Sequence, residues 1–191
     1  TDPVTLSGNV TIDTDQPSIS VALPEGDSID LRPQLGGGAD LAALAVGALV
    51  VDATANVRIT GSHPLVIVAG GDVDISGLLD AGAHGTTPGA VGEAPGSGTG
   101  AGTAGSHETS DASDSGGGGG GYGTTGGSGG AISNGCDVAG GSGGPAYGDP
   151  SITTLVGGAG GAKSSGNSCT PDLGGAGGGA LQITSLTSVA I

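Results

Sequence analysis

Apolar and polar residues alternate from the fourth position of the chain. Val4, Leu6, Val10 and Ile12 occupy even positions; Ile19, Val21 and Leu23 occupy odd ones, followed by Ile29 and Leu31. Period two, with Thr, Ser and Asp between, predicts half-buried strands. Asp and Pro residues at 13–17 and 24–27 predict the turns that separate them. Residues 40–46 (DLAALAV) predict one short helical turn, with Asp40 as its cap and Leu41 and Leu44 at helical spacing; a strand is the alternative.

A second pattern begins at Leu49. The apolar pairs Leu49/Val51, Val57/Ile59, Leu65/Ile67 and Val73/Ile75 recur every eight residues, and Leu181/Ile183 and Val189/Ile191 repeat that step near the end. Short strands at a fixed interval describe a chain winding around a narrow core. Three such steps make about 24 residues, the size of a parallel β-helix rung. The predicted fold class is therefore all-β, a short-strand parallel β-helix-like solenoid, with a β-sandwich as the alternative. Residues 1–48 are the N-terminal strand region, 49–81 the coils, and 180–191 the terminal strands that rejoin the sheet core. The stretch 181–191 carries no charge and no terminal turn, leaving an apolar edge of the kind native chains protect. The expectation is a fragment of something longer, or a strand completed by another subunit.

Glycine dominates residues 82–179. A Gly-Gly-x-Gly-Gly motif occurs as Gly126, Gly127, Gly129, Gly130; as Gly140, Gly141, Gly143, Gly144; as Gly157, Gly158, Gly160, Gly161; and as Gly174, Gly175, Gly177, Gly178. An unbroken glycine run at 116–121 precedes them. Such composition ordinarily gives a flexible linker, because glycine loses the most backbone entropy on ordering. Regular repetition punctuated by apolar residues predicts a different outcome. Helices of three residues per turn lie close together where side chains are missing, as in collagen. The block is thus predicted to be an insertion of stacked polyglycine II strands.

Composition narrows function mainly by exclusion. Phe, Trp and Met are absent, and Tyr122 and Tyr147 are the only aromatic residues. Three cationic side chains (Arg32, Arg58, Lys163) face 18 carboxylates, for a net charge of −15. Nucleic acid is excluded as a partner, since phosphate binding needs clustered cations and stacking rings. No stretch approaches membrane-spanning length. Cys136 and Cys169 lie outside any CxxC motif, and a disulfide between them would restrict the unfolded glycine-rich loop by roughly 3–4 kcal/mol in the entropy model. That pairing predicts an oxidising, extracellular or cell-surface location, with Thr1-Asp2-Pro3 as a mature terminus left after processing.

Three stretches carry a resemblance: GGDVDISGLLDAGA at 70–83, GGGGGGYGTTGGSGG at 116–130 and GGAGGGALQITS at 174–185. They resemble secreted, glycine-rich, β-helix-like surface proteins of myxobacteria and related bacteria, over roughly residues 45–191. The resemblance implies an exported surface or appendage protein and brings no active site. A weaker likeness is to phage tail-tip adhesins, whose glycine motifs form a sandwich of polyglycine II helices; those tips use more aromatic residues for receptor contact.

Candidate chemistry is sparse. His63, His84 and His107 each stand alone in turn-like contexts, so chance surface histidines outweigh metal ligands. No GxSxG elbow follows a strand, and the acids lie in turns without the aromatic walls of a glycosidase cleft. The expected answer is no enzyme. Calcium is the one cofactor the acids suggest, through Asp72 and Asp74, or Glu108, Asp111 and Asp114; Asp13 and Asp15 form a further cluster. None fits an EF-hand or nonapeptide repeat, and a wet strand face is the plainer reading. Asn9 fits a glycosylation sequon, for which coincidence is the plainer reading in a bacterial-looking sequence. Lys163, the single lysine, sits in an exposed-looking Gly-Ala-Lys-Ser-Ser-Gly setting that disfavours an isopeptide link. Tyr122 and Tyr147 are expected to cover glycine backbone. The chain is therefore expected to be a structural subunit of an extracellular fibre or surface layer. It would self-associate through terminal strands and glycine-rich faces. The alternatives are an adhesin whose loops 85–115 and 144–150 meet a cell-surface ligand, and, less favoured, an ice-binding protein.

Overall fold

The computed structural model describes residues 2–108, 113–133, 138–166 and 172–191. They divide into two compact units, one built from Thr1–Ala81 with Ala180–Ile191, the other from Gly82–Gly179. The protein is all-β, and among the described residues every regular element is a strand.

The first unit opens with β1 (Val4–Leu6), β2 (Asn9–Asp13), β3 (Ser18–Ile19), β4 (Ser28–Arg32) and β5 (Leu41–Val46). Next come β6 (Leu49–Val51), β7 (Asn56–Thr60) and β8 (Leu65–Ala69), then β9 (Val73–Ile75) and β10 (Leu78–Asp80). The short β11 (His107–Glu108) and β12 (Ser113–Asp114) belong to the second unit, and β13 (Leu181–Ser185) and β14 (Val189–Ala190) return to the first. In the first unit three four-stranded sheets result, ordered β1-β6-β9-β14, β10-β7-β2-β3 and β13-β8-β5-β4. Successive strands are dealt to the sheets in rotation, so neighbours within a sheet are parallel except where β3 and β4 join antiparallel.

Parallel in-register pairing explains the eight-residue step. Val4 lies beside Leu49 and Leu49 beside Val73; Leu44 lies beside Ile67 and Ile67 beside Ile183. Each inward aliphatic thus stacks on one of its own kind, and Leu6, Ile12, Leu44, Leu49, Ile59, Leu65 and Ile67 are essentially inaccessible to solvent. Burial of such side chains supplies about 1.5–3 kcal/mol each. The corners are made by short polar residues. Thr14, fully buried, donates its hydroxyl to the Thr60 carbonyl at 2.9 Å and accepts the His63 amide at 3.2 Å. Gly61, at φ +110°, passes so close that a Cβ there would overlap the Thr14 hydroxyl.

Two local expectations are corrected. Residues 40–46 form no helical turn. Burial alternates along β5, with Ala42, Leu44 and Val46 inside, and both edges of the strand are occupied, by β4 and β8. LAALAV satisfies either period, and the vacant space between two strands decides for β. The alternation through Val21 and Leu23 gives only the two-residue β3, because pairing with β2 ends beyond the Ser20 amide's bond to the Thr11 carbonyl.

In the second unit the backbone bonds to itself at intervals of three. The Gly116 and Gly119 amides donate to the Gly130 and Gly127 carbonyls; Gly126 and Gly129 donate to Gly144 and Gly141; Gly141 and Gly144 donate back to Gly116 and Gly119. The three segments thus close a triangle, each donating to the next. Segment 116–121 also reaches outward: Gly118 and Gly121 donate to Thr103 and Gly100, and the Gly118 carbonyl accepts from Ala162. A sheet strand has two edges; this segment has four bonded neighbours. A second triangle repeats the plan. Gly158, Gly161 and Ser164 donate to Gly178, Gly175 and Asp172, Gly177 donates to Glu93, and Glu93 and Gly96 donate to Gly158 and Gly161.

Leu44→Ala, deep in the first unit, is expected to cost about 2–5 kcal/mol in urea unfolding. Leu35→Ala, at a residue 90% exposed, is expected to stay within about 0.5 kcal/mol. Equal effects of the two changes would contradict a stacked aliphatic core.

Candidate functional site

The glycine motifs differ in what they demand of glycine. None of the motif glycines has a positive φ, so conformation is not the reason for them. Close approach is. A Cβ at Gly118 would overlap the Ser142 carbonyl, one at Gly129 the Gly116 carbonyl, and one at Gly143 the Gly126 carbonyl. In the motif at 126–130 only the first and fourth residues of the motif face backbone in this way, and a Cβ at Gly127 or Gly130 would meet nothing within 4 Å. In the motif at 140–144 all four glycines, Gly140, Gly141, Gly143 and Gly144, are hemmed in by carbonyls. That segment therefore lies inside the lamination, and 126–130 lies at its border. Gly157, Gly160, Gly174 and Gly177 are likewise confined, Gly158 is tight at 3.1 Å from the Gly178 amide, Gly161 and Gly175 have room at 3.7–3.9 Å, and Gly178 is open.

The acidic residues singled out as calcium ligands are otherwise engaged or not gathered. Asp72 accepts the Thr187 hydroxyl at 2.6 Å and the Ser188 hydroxyl at 2.7 Å, and these bonds hold its carboxyl below the usual carboxylate range. Asp74 accepts only a long contact from Ser76, at 3.3 Å. Asp114 faces His107 Nδ1 at 2.8 Å, and Asp111 lies outside the described residues. Among the described residues no three His, Cys, Asp or Glu side chains converge as a metal site would require. Asp15 and Asp52 are turn locks of the same kind: the Ser62 hydroxyl and amide lower the first, the Thr54 amide and hydroxyl the second.

Of the other candidates, His63 meets the Asp40 carbonyl through Nδ1 at 2.9 Å, and His84 forms an isolated bridge with Thr87. Lys163 is exposed. Cys136 and Cys169 lie outside the described residues. Among the described residues no helix is long and apolar enough to cross a membrane.

The aromatic residues converge although they are far apart in sequence. Tyr122 and Tyr147 meet edge to face, centroids 5.2 Å apart and planes at 82°, an arrangement suited to the ring quadrupoles. Two backbone bonds fix them, from the Tyr147 and Gly148 amides to the Tyr122 carbonyl at 2.9 and 2.8 Å. Tyr147 leans on Gly100, where a Cβ would overlap its ring, and its hydroxyl donates to the Gly157 carbonyl. Burial pushes its phenol pKa up. Tyr122 stays 41% exposed and, with Gly123, Gly148, Asp149, Pro150 and Ile152, lines a shallow cavity of ≈ 290 Å³. The sequence places Asp149 and Pro150 only within the ligand-facing loop 144–150 of the adhesin alternative, without singling them out, and Ile152 lies beyond that loop. The Asp-Pro turn two residues after Tyr147 was the available signal.

Two measurements check these assignments. Gly143→Ala is expected to abolish amide-exchange protection across the second unit, whereas Gly127→Ala leaves it intact; equal protection in both variants would contradict the lamination. The lowered carboxyls of Asp15, Asp52 and Asp72 stabilise the fold fully above the ordinary carboxylate pKa of about 3.9, and that contribution is lost as pH falls through their folded values. The melting temperature should thus hold from neutral pH to about pH 5 and then fall, less steeply in Asp72→Asn. No family model, curated protein or solved structure matches the chain.

Proposed function

We propose that this chain is a structural subunit of an extracellular fibre or surface layer. In this reading the first unit is a parallel β-helix-like solenoid and the second a polyglycine II bundle stapled by Cys136–Cys169. Rotation of the strands among three sheets supports the solenoid. Bonding at every third residue with several neighbours supports the bundle. Neither unit is assigned catalysis or a cofactor.

One observation carries the reading. On one side the sheets end in β10, β13 and β14, which have no further partner strand among the described residues. Leu78, Leu186, Val189 and Ile191 are exposed there, and residues 181–191 hold no charge in a chain of net −15. The opposite side of two sheets is closed by the antiparallel β3 and β4. Pro17, Pro24, Pro33 and the acids of residues 13–30 surround those closing strands, the usual protection against edge pairing. Among the described residues only β1 remains as a bare edge on that side. Copies of the chain would meet through the uncharged residues 181–191 and β1, and the open glycine face at Gly127 and Gly130 would carry lateral contacts.

Electron microscopy of concentrated wild-type protein is expected to reveal ordered filaments or layers. The double variant Leu186→Lys/Ile191→Lys alters only exposed side chains, so it should keep the wild-type melting temperature while losing them. Monomers at every concentration of the wild type, or unchanged particles in the variant, would overturn the reading.

A further inference from the structure

The cavity beside Tyr122 has a chemistry that assembly does not use. Its floor is apolar: the exposed Tyr122 ring, the Pro150 ring and Ile152, which is 63% exposed. Ile152 is held at φ +47°, a left-handed conformation that a β-branched residue adopts only under constraint. The Asp149–Ile152 turn, closed by a bond from the Ile152 amide to the Asp149 carbonyl at 3.0 Å, imposes it. Strain of this kind collects at ligand-contacting turns. Here it belongs to a turn that keeps a large apolar side chain at the surface.

The polar element is a fixed negative charge. Asp149 Oδ1 accepts the Ser151 amide at 2.9 Å, and Oδ2 accepts the Thr153 hydroxyl at 2.6 Å and the Thr153 amide at 3.3 Å. These bonds keep the group ionised and exposed. Oδ2 thus already accepts two hydrogens and Oδ1 one, which leaves about one of a carboxylate's four acceptor positions, too few for the two-pronged grip of a guanidinium across both oxygens. A charge that needs no acceptor but gains from an aromatic face, an apolar floor and a nearby anion fits better. A substituted ammonium has those properties.

We propose that Tyr122, Asp149, Pro150 and Ile152 form a binding site for a methylated ammonium group on a short apolar stem. The ring face attracts the cation through its quadrupole, Pro150 and Ile152 receive the methyl groups, and Asp149 supplies long-range attraction. Tyr147 positions Tyr122 and does not meet the ligand. The site is independent of assembly and holds in a monomer or a polymer.

The chain supplies its own probe, because Tyr122 and Tyr147 are its only aromatic residues and Tyr122 lines this cavity. Choline titrated into the full-length protein is expected to change tyrosine fluorescence saturably. The neutral isostere 3,3-dimethylbutan-1-ol is expected to bind about tenfold more weakly, the loss of one cation–π contact. Read by titration calorimetry, Tyr122→Phe should keep choline binding and Tyr122→Leu should lose it. Asp149→Asn should weaken it several-fold and reduce its salt dependence. Absence of saturation, equal binding of the alcohol, or retention by Tyr122→Leu would overturn the proposal.

Discussion

The second unit depends on the absence of Cβ atoms. Its segments approach until carbonyl oxygens stand where side chains would otherwise begin, and this closeness lets one backbone bond to more than two neighbours. The margin is narrow. A backbone hydrogen bond contributes about 1 kcal/mol net, while ordering a residue costs about 1–2 kcal/mol, and most of all for glycine. Such an array holds only if nearly every row of bonds forms together. A methyl group at Gly143 would press on the Gly126 carbonyl and force the paired segments apart along their length. A single substitution there acts on the whole array and not on one contact. Gly127, a few residues away, faces no atom within 4 Å. Position in the stack, not membership of the motif, sets the cost.

The first unit meets the same lack of large side chains in another way. Without Phe, Trp or Met, its core is thin, and it is filled by Val, Leu, Ile and Ala stacked in register. Register is exacting in such an arrangement, because a slip of one residue would turn every aliphatic outward. The polar corners hold it. Asp15 accepts the Ser62 hydroxyl and amide, and the Thr54 hydroxyl and amide close on Asp52 across its own turn. The Arg58–Asp80 pair, at 2.9 Å, links β7 to β10 at register partners. Asp15 and Asp72, which look available for metal in a linear sequence, are thereby engaged by hydroxyl and amide donors of neighbouring turns.

Much of this was legible because period two and period eight are properties of single positions. The strands at Val4–Leu6, Asn9–Asp13 and from Leu49 onward follow directly from where Val, Leu and Ile fall. LAALAV did not resolve, since its spacing serves a helix as well as a strand, and the deciding factor was a gap between two partners far away in sequence. The Asp72 bonds to Thr187 and Ser188 span 115 and 116 residues, and no local pattern announces them. The tyrosine pair was hidden for the same reason. Each ring alone reads as a cover for glycine, and only the folded backbone brings Asp149, Pro150 and Ile152 against one of them.

Charge then constrains how copies of this chain can meet. With 18 carboxylates against three cations, most of the surface repels its own kind within a Debye length of about 8–10 Å. Residues 181–191 add nothing to that repulsion because they hold no charge, and the carboxylate bonded to them, Asp72, stays ionised while accepting two of their hydroxyls. The glycine face at 127 and 130 offers backbone without side-chain charge of its own. The surfaces left for close association are therefore those that present hydrogen-bonding backbone or bare aliphatic groups. In the proposed assembly, repulsion elsewhere would fix the angle of approach, and an acidic coat with a neutral edge would favour ordered addition over amorphous aggregation.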